Sequence, residues 1–290
     1  MTDIPPSIQP FLDHLRCAER SPLTVRSYVS DLAGFSAWFE AANGDVLAPA
    51  LVTPTDLREF KAHLLQRQLR PSSVNRKLAA LKSFLGWAAE AGMIPAAPKM
   101  PRQERQGRLG PRWLDRREQN ALLRAVERGG SARDIAAVQL MLQCGLRVAE
   151  LCALVWADVV ISDRRGTLTV RSGKGGKRRT VLMNADARAA VIALGHLREV
   201  EGADAVFAGQ RGPLTVRGVQ KTLEKYSHGK SGTDGVSPHD LRHSFCKNLV
   251  DAGVGLPEVA ALAGHESLET TRRYTEPSLK DLERAVDRLV

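Results

Sequence analysis

Between Val236 and Pro277 the chain places His239, Arg242, His265 and Tyr274 at spacings that suit work on an anionic centre. Ser237 and Pro238 read as an N-cap followed by a proline at the first helical position, so a helix starts there. His239 and Arg242 are three apart and share one face of that helix. Pro257 starts another helix, and Gly264 ends it with the residue type that tolerates a left-handed turn. His265 follows that turn directly. Ser267 then opens a short helical pattern carrying Tyr274. Guanidinium and imidazole groups bind phosphate oxygens, and a phenol can attack phosphorus. His243, in HDLRH, reads as a structural residue on a turn adjoining His239.

Two earlier stretches could complete such a site. In CGLRVAELCAL, Gly145 breaks or tightens a helix just before Arg147, and Glu150 lies three residues beyond on the same face. An intrahelical arginine–glutamate pair worth about 0.2–0.5 kcal/mol is one account. The apolar Leu146, Val148, Leu151 and Leu154 also bury this helix, and a buried arginine needs an anionic partner. Further on, Thr167–Arg171 and Arg179–Met183 alternate as two strands of a hairpin with the tip SGKGGKR. This tip is not a P-loop, because its lysines do not fit GxxxxGK(S/T) and no helix follows. A loose basic turn and a device for presenting Lys174 are both open on these residues alone.

HxxR, then AGH, then a tyrosine nine residues after the second histidine is similar to the signature of tyrosine recombinases, above all the short Xer type. GLRVAEL resembles that family's pattern for a first catalytic arginine and its acidic neighbour. GKGGKRR matches its hairpin motif, in which a lysine acts as general acid. The resemblance covers Trp113 to Val290 with the motifs in family order. It implies a catalytic set of Arg147, Lys174, His239, Arg242, His265 and Tyr274, supported by Glu150. One departure is Glu276, where many Xer-like chains have a histidine; it lies outside the catalytic set. With a DNA phosphodiester as substrate, the arginines and His265 would hold the non-bridging oxygens. His239 would take the phenol's proton, and Lys174 would protonate the leaving 5′ oxygen. The product would be a 3′-phosphotyrosyl bond, formed without metal or cofactor. Tyr28 belongs to a bundle stripe and Tyr226 has no histidine–arginine context, which leaves Tyr274 as nucleophile.

Composition agrees with a polyanionic partner. The formal net charge is +10 over 290 residues, and neutralising phosphates releases counterions and drives binding. Four scattered cysteines form no CxxC pair, which argues against a zinc site or a disulfide framework and fits a reducing compartment. No basic-then-apolar leader opens the chain, and no apolar run approaches the ~20 residues that span a bilayer. A cytoplasmic, bacterial, nucleoid-associated protein is the expectation.

The fold class expected is mainly α with a small β-hairpin or sheet. Residues 1–94 read as a four-helix domain, with apolar stripes such as Val25, Tyr28, Leu32, Phe35 and Phe39. Leu57, Phe60, Leu64 and Leu65 are expected inward on a third helix, and a fourth starts at Ser72 or Ser73. This domain resembles the SAM-like core-binding domain of tyrosine recombinases. Arg70, Arg76 and Lys77 at a helix start are its best DNA contacts. Residues 95–112, rich in Pro, Gly and Arg, read as a basic linker, so that two domains could clamp a duplex. Residues 113–290 form an α+β catalytic domain, in which Arg217, Lys221 and Lys225 lie along one helix face as a further DNA contact. A final helix from Ser278 carries a narrow apolar stripe that folds back on its own domain or docks on a neighbouring protomer.

The resemblance implies site-specific recombination of double-stranded DNA through a Holliday junction, by a homo- or hetero-tetramer on two recombination sites, with no membrane involved. Dimer resolution and mobile-element integration are both open. The alternatives are a type IB topoisomerase-like enzyme and a non-catalytic DNA-binding regulator.

Overall fold

The computed structural model describes residues 5–105, 111–171, 178–201, 204–209, 212–229, 233–265, 267–275 and 286, without the side chains of 197–201. Lys174 and, apart from Val286, the expected terminal helix lie outside the described residues. The chain divides into two compact units, Met1–Arg108 and Leu109–Val290.

The first unit is a bundle of α1 (Gln9–Cys17), α2 (Pro22–Asn43), α3 (Pro54–Gln66) and α4 (Pro71–Glu90). Local chemistry sets the starts. Ser21 caps α2, and Thr53 with Asp56 forms a reciprocal capping box on α3, each ahead of a proline in the first turn. Gly44, at φ 77°, ends α2. The core is aromatic: Phe35 meets Phe60 edge-on at 4.9 Å, and Phe11 meets Phe84 at 5.5 Å. Each such ring stabilises the bundle by roughly 1.5–3 kcal/mol through burial. Two expectations need correction. Leu65 faces solvent, because α3 turns its stripe through Leu57, Phe60 and Leu64 only. The fourth helix starts at Pro71 rather than at the serines, since proline fits the first turn, where its missing N–H costs nothing. Part of the expected linker is fastened to this bundle. Met100 packs on its core, Lys61 pairs with Glu104 at 2.6 Å, and Asn75 bonds the Glu104 backbone in both directions.

In the second unit α5 (Arg116–Gly129), α6 (Ala132–Cys144) and the short α7 (Val148–Cys152) precede a three-stranded antiparallel sheet. Its strands are β1 (Val159–Ile161), β2 (Gly166–Val170) and β3 (Arg179–Leu182). The hairpin is therefore β2–β3, with Leu168 opposite Val181, and β1 is an additional edge strand. Then follow α8 (Ala185–Glu201), the short pair β4 (Ala208–Gly209) and β5 (Gly212–Pro213), and α9 (Val216–Ser227). The chain continues through α10 (Pro238–Asp251), α11 (Leu256–Ala263) and α12 (Leu268–Arg272). Helix α6 is the axle: Ala136 through Leu142 are all buried, so neighbours pack on every side of it. This places the end of α6, at Gly145, in the interior against α10.

Candidate active site

Two left-handed glycine turns build the centre. Gly145 (φ 62°) ends α6, and Gly264 (φ 66°) ends α11. Each leaves helix-terminal carbonyls without intrahelical partners, at the negative end of a helix dipole. Arginines satisfy them. Arg242 is 4% exposed and donates from Nη1 to the Gly145 carbonyl and from Nη2 to the Ala263 carbonyl at 2.6 Å. Arg147 donates from Nη2 to the Gly264 carbonyl at 3.0 Å. A side chain at Gly264 is impossible without displacement, because a Cβ would lie 2.6 Å from Arg179 Nε.

Glu150 organises the cations. Arg147 is the N-cap of α7, and Glu150 accepts both its backbone N–H and its Nη1, each at 2.8 Å. Arg179, at the first residue of β3, grips the same carboxylate with both Nη atoms, at 2.6 and 2.8 Å. Burial alone would raise the carboxyl's pKa. The hydrogen bonds from Arg179 and Arg147 outweigh it and hold the group down at about 2. Burial, and then the neighbouring Arg147 charge, lower Arg242 to about 10, so it remains a cation at neutral pH. Three guanidiniums against one carboxylate leave a surplus of two positive charges (3 − 1 = 2) among these described groups. Such a surplus calls for an anion.

His265 follows Gly264, and its Nδ1 lies 2.8 Å from the hydroxyl of the buried Thr271. Burial, then Arg242 and Arg147, push its pKa to about 4, so the ring is neutral at pH 7. Tyr274 lies just beyond α12 with its ring nearly parallel to His265, centroids 6.3 Å apart. It is 1% exposed, and burial raises its phenol pKa well above the usual value. The other tyrosines are occupied elsewhere. Tyr226 bonds Gly129 and Asp134 in the core of the unit, and Tyr28 packs edge-on against Phe11.

The fold thus brings Arg147, Glu150, Arg242, His265 and Tyr274 to one centre around residues 263–265. His239 is exposed on the first turn of α10. His243 lies inside α10, one helical turn beyond His239, and its Nδ1 is 2.6 Å from the Tyr274 hydroxyl. Arg179, Thr271 and Cys246 are further neighbours that sequence reasoning passed over. Cys246 packs in the same buried cluster as Tyr274, and burial raises its pKa. The only signal for Arg179 was its position next to the basic tip of the hairpin.

Arg217 and Lys221 are exposed on α9, and Arg70 is the exposed N-cap of α4. Arg76 and Lys77 both pair with Asp31, which is 2% exposed, so together they offer one net positive charge rather than two.

Comparison with known proteins identifies the family. Residues 112–280 match the phage integrase family, and residues 8–92 match the phage integrase N-terminal SAM-like domain. A tyrosine recombinase XerC of Chlorobaculum parvum is 33% identical over 97% of this chain and 93% of its own length. One of Myxococcus xanthus is 32% identical over 99% and 98%. Among solved structures, the Tn1549 transposon integrase in complex with circular intermediate DNA shares the fold. It has a TM-score of 0.72 at 19% identity, covering 97% of this chain and 98% of that one. Two family matches, relatives at 32–33% identity over nearly the whole chain and a common fold lead to one conclusion: the chain belongs to the phage integrase family and is a tyrosine recombinase.

Proposed function

We propose that this recombinase cuts and rejoins double-stranded DNA at a specific site, with Tyr274 as nucleophile and a 3′-phosphotyrosyl intermediate. The observation that carries the reading is the surplus of guanidinium charge beside a tyrosine held next to His265. Arg147 and Arg242 pair with the non-bridging oxygens, where charge grows in the transition state. The Thr271 hydroxyl holds His265 Nδ1, and with Thr271 as the donor of that bond the ring offers Nε2–H as a third donor to the phosphate. Glu150 and Arg179 hold Arg147 in place. Lys174 delivers the proton to the leaving 5′ oxygen. His239, an exposed imidazole on the first turn of α10, is the remaining member of the set.

Both units hold the duplex. The first contributes Arg70 and the outward part of Arg76, with Lys77 behind it; the second contributes Arg217 and Lys221. Four protomers, of one kind or two, assemble on two sites and exchange strands through a Holliday junction. The protein works in the bacterial cytoplasm; among the described residues no helix is long and apolar enough to cross a membrane.

The test is a suicide DNA substrate incubated with the protein in buffer containing chelator. Wild type forms a protein–DNA adduct that survives denaturation. Tyr274→Phe binds the same duplex and forms none. An adduct in Tyr274→Phe would sink the assignment of the nucleophile.

A further inference from the structure

The proton on the Tyr274 hydroxyl must leave as the oxygen bonds to phosphorus, and among the described residues one nitrogen is in hydrogen-bond contact with it. His243 Nδ1 lies 2.6 Å away, within strong hydrogen-bond range. The phenol is 1% exposed, so bulk water has little access to it. The Cys246 thiol is buried in the same cluster, and burial raises its pKa, so that it stays protonated at neutral pH. His239, which the family pattern would favour, is exposed, with its ring centre 6.4 Å from that of His243.

We propose that His243 is a further catalytic residue of the cleavage reaction, accepting the Tyr274 proton at Nδ1 as the phenol oxygen attacks phosphorus. The proposal rests on the reading of Tyr274 as nucleophile. In the forward step the phenol O–H bond breaks and its proton passes to Nδ1. The Tyr274 oxygen–phosphorus bond forms, the bond from phosphorus to the 5′ oxygen breaks, and that oxygen takes its proton from the general acid. On religation His243 returns the proton to the departing phenolate.

Placing the acceptor on α10 makes physical sense, because the same helix carries Arg242, which holds the phosphate. Base and phosphate anchor then share a single rigid element, and the contact between His243 and the Tyr274 hydroxyl ties the nucleophile to it. Burial, followed by the charge of His239, keeps the His243 ring neutral at pH 7, with its lone pair available. The groups facing the pair are His239, Asp240, Arg242 and Cys246 from α10, His265 from the turn after α11, and Arg273 beside Tyr274. The arginines among them lose part of their effective charge when a phosphate binds. That loss raises the basicity of His243 in the substrate complex, where the base is needed.

The test is single-turnover cleavage of the suicide substrate by His243→Asn, across pH. Asparagine can keep a hydrogen bond at the Nδ1 position but cannot take up a proton. Cleavage at pH 7 is expected to fall by about 100-fold. The deficit shrinks by about tenfold per pH unit above that, as hydroxide takes over, while duplex binding and circular dichroism match wild type. A rate near wild type, or a deficit equal at every pH, overturns the proposal, the second because a merely structural contact would behave so. An independent measurement uses the catalytically intact protein labelled with 15N-histidine. The Nδ1 resonance of His243 should move toward that of a free imine nitrogen in Tyr274→Phe, and an unmoved resonance refutes the contact in solution even if His243→Asn fails to fold. An adduct persisting in Tyr274→Phe removes the nucleophile and this base together. A full rate in His243→Asn with none in Tyr274→Phe removes only the base.

Discussion

Glu150 shows how one buried carboxylate can serve several cations. It is 7% exposed and accepts from Arg147, Arg179 and the Arg147 backbone, so its charge is worth more than that of a surface pair. Its folded pKa of about 2 lies below its unfolded value near 4.5. A depressed carboxyl stabilises the fold above the unfolded pKa, and that stability is lost as pH falls through the folded one. The window is therefore pH 4.5 down to 2, and the amount is about 3 kcal/mol. Glu150→Gln should flatten the stability profile in that window, as read by urea unfolding at a series of pH values. The same variant should lose about 3–5 kcal/mol at pH 7, because two guanidiniums are left beside a neutral amide.

At the scale of elements, the turn at Gly264 does more than end α11. The carbonyls of Ala263 and Gly264 receive Arg242 and Arg147, and His265 is the next residue, so three groups of the candidate site depend on one backbone conformation. A left-handed turn costs a side-chain-bearing residue roughly 1–2 kcal/mol, and here a Cβ would also strike the Arg179 side chain. Gly264→Ala is thus expected to lower the unfolding free energy by about 1–3 kcal/mol. Cleavage should drop more than tenfold, with duplex binding much less affected. Equal cleavage by this variant would mean that the turn does not position the arginines. The β2–β3 hairpin enters the same network through Arg179, which ties the first residue of β3 to Glu150.

The whole molecule carries a formal charge of +10, and association with DNA should be dominated by phosphate neutralisation. Contact with six to ten phosphates would weaken binding by about 10³–10⁵ between 50 and 200 mM salt. Arg217→Ala and Lys221→Ala should each reduce the slope of log affinity against log salt by about 0.9, without altering the preferred site. Lys77→Ala should behave differently. Lys77 pairs with the buried Asp31, so its loss should appear mainly as lower stability of the first unit. Slopes from fluorescence anisotropy and melting temperatures separate the two behaviours.

Much of this protein is legible in its amino-acid order, because local chemistry acts over a few residues. Capping residues and prolines mark the starts of α2, α3 and α10, apolar periodicity marks the bundle stripes, and Gly264 marks the end of α11. The motifs around Arg147, Arg242, His265 and Tyr274 likewise point to phosphate chemistry before any fold is known. Partnerships made across long separations are not encoded in this way. Arg179 meets Glu150 over 29 residues, Arg242 meets Gly145 over 97, and His243 meets Tyr274 over 31. Nothing in HDLRH distinguishes the histidine that faces the phenol from the one that faces solvent. Helix α10 turns by roughly 100° per residue. Only the packing of α10 against its neighbours decides which of its faces looks inward, and so which imidazole touches the Tyr274 hydroxyl.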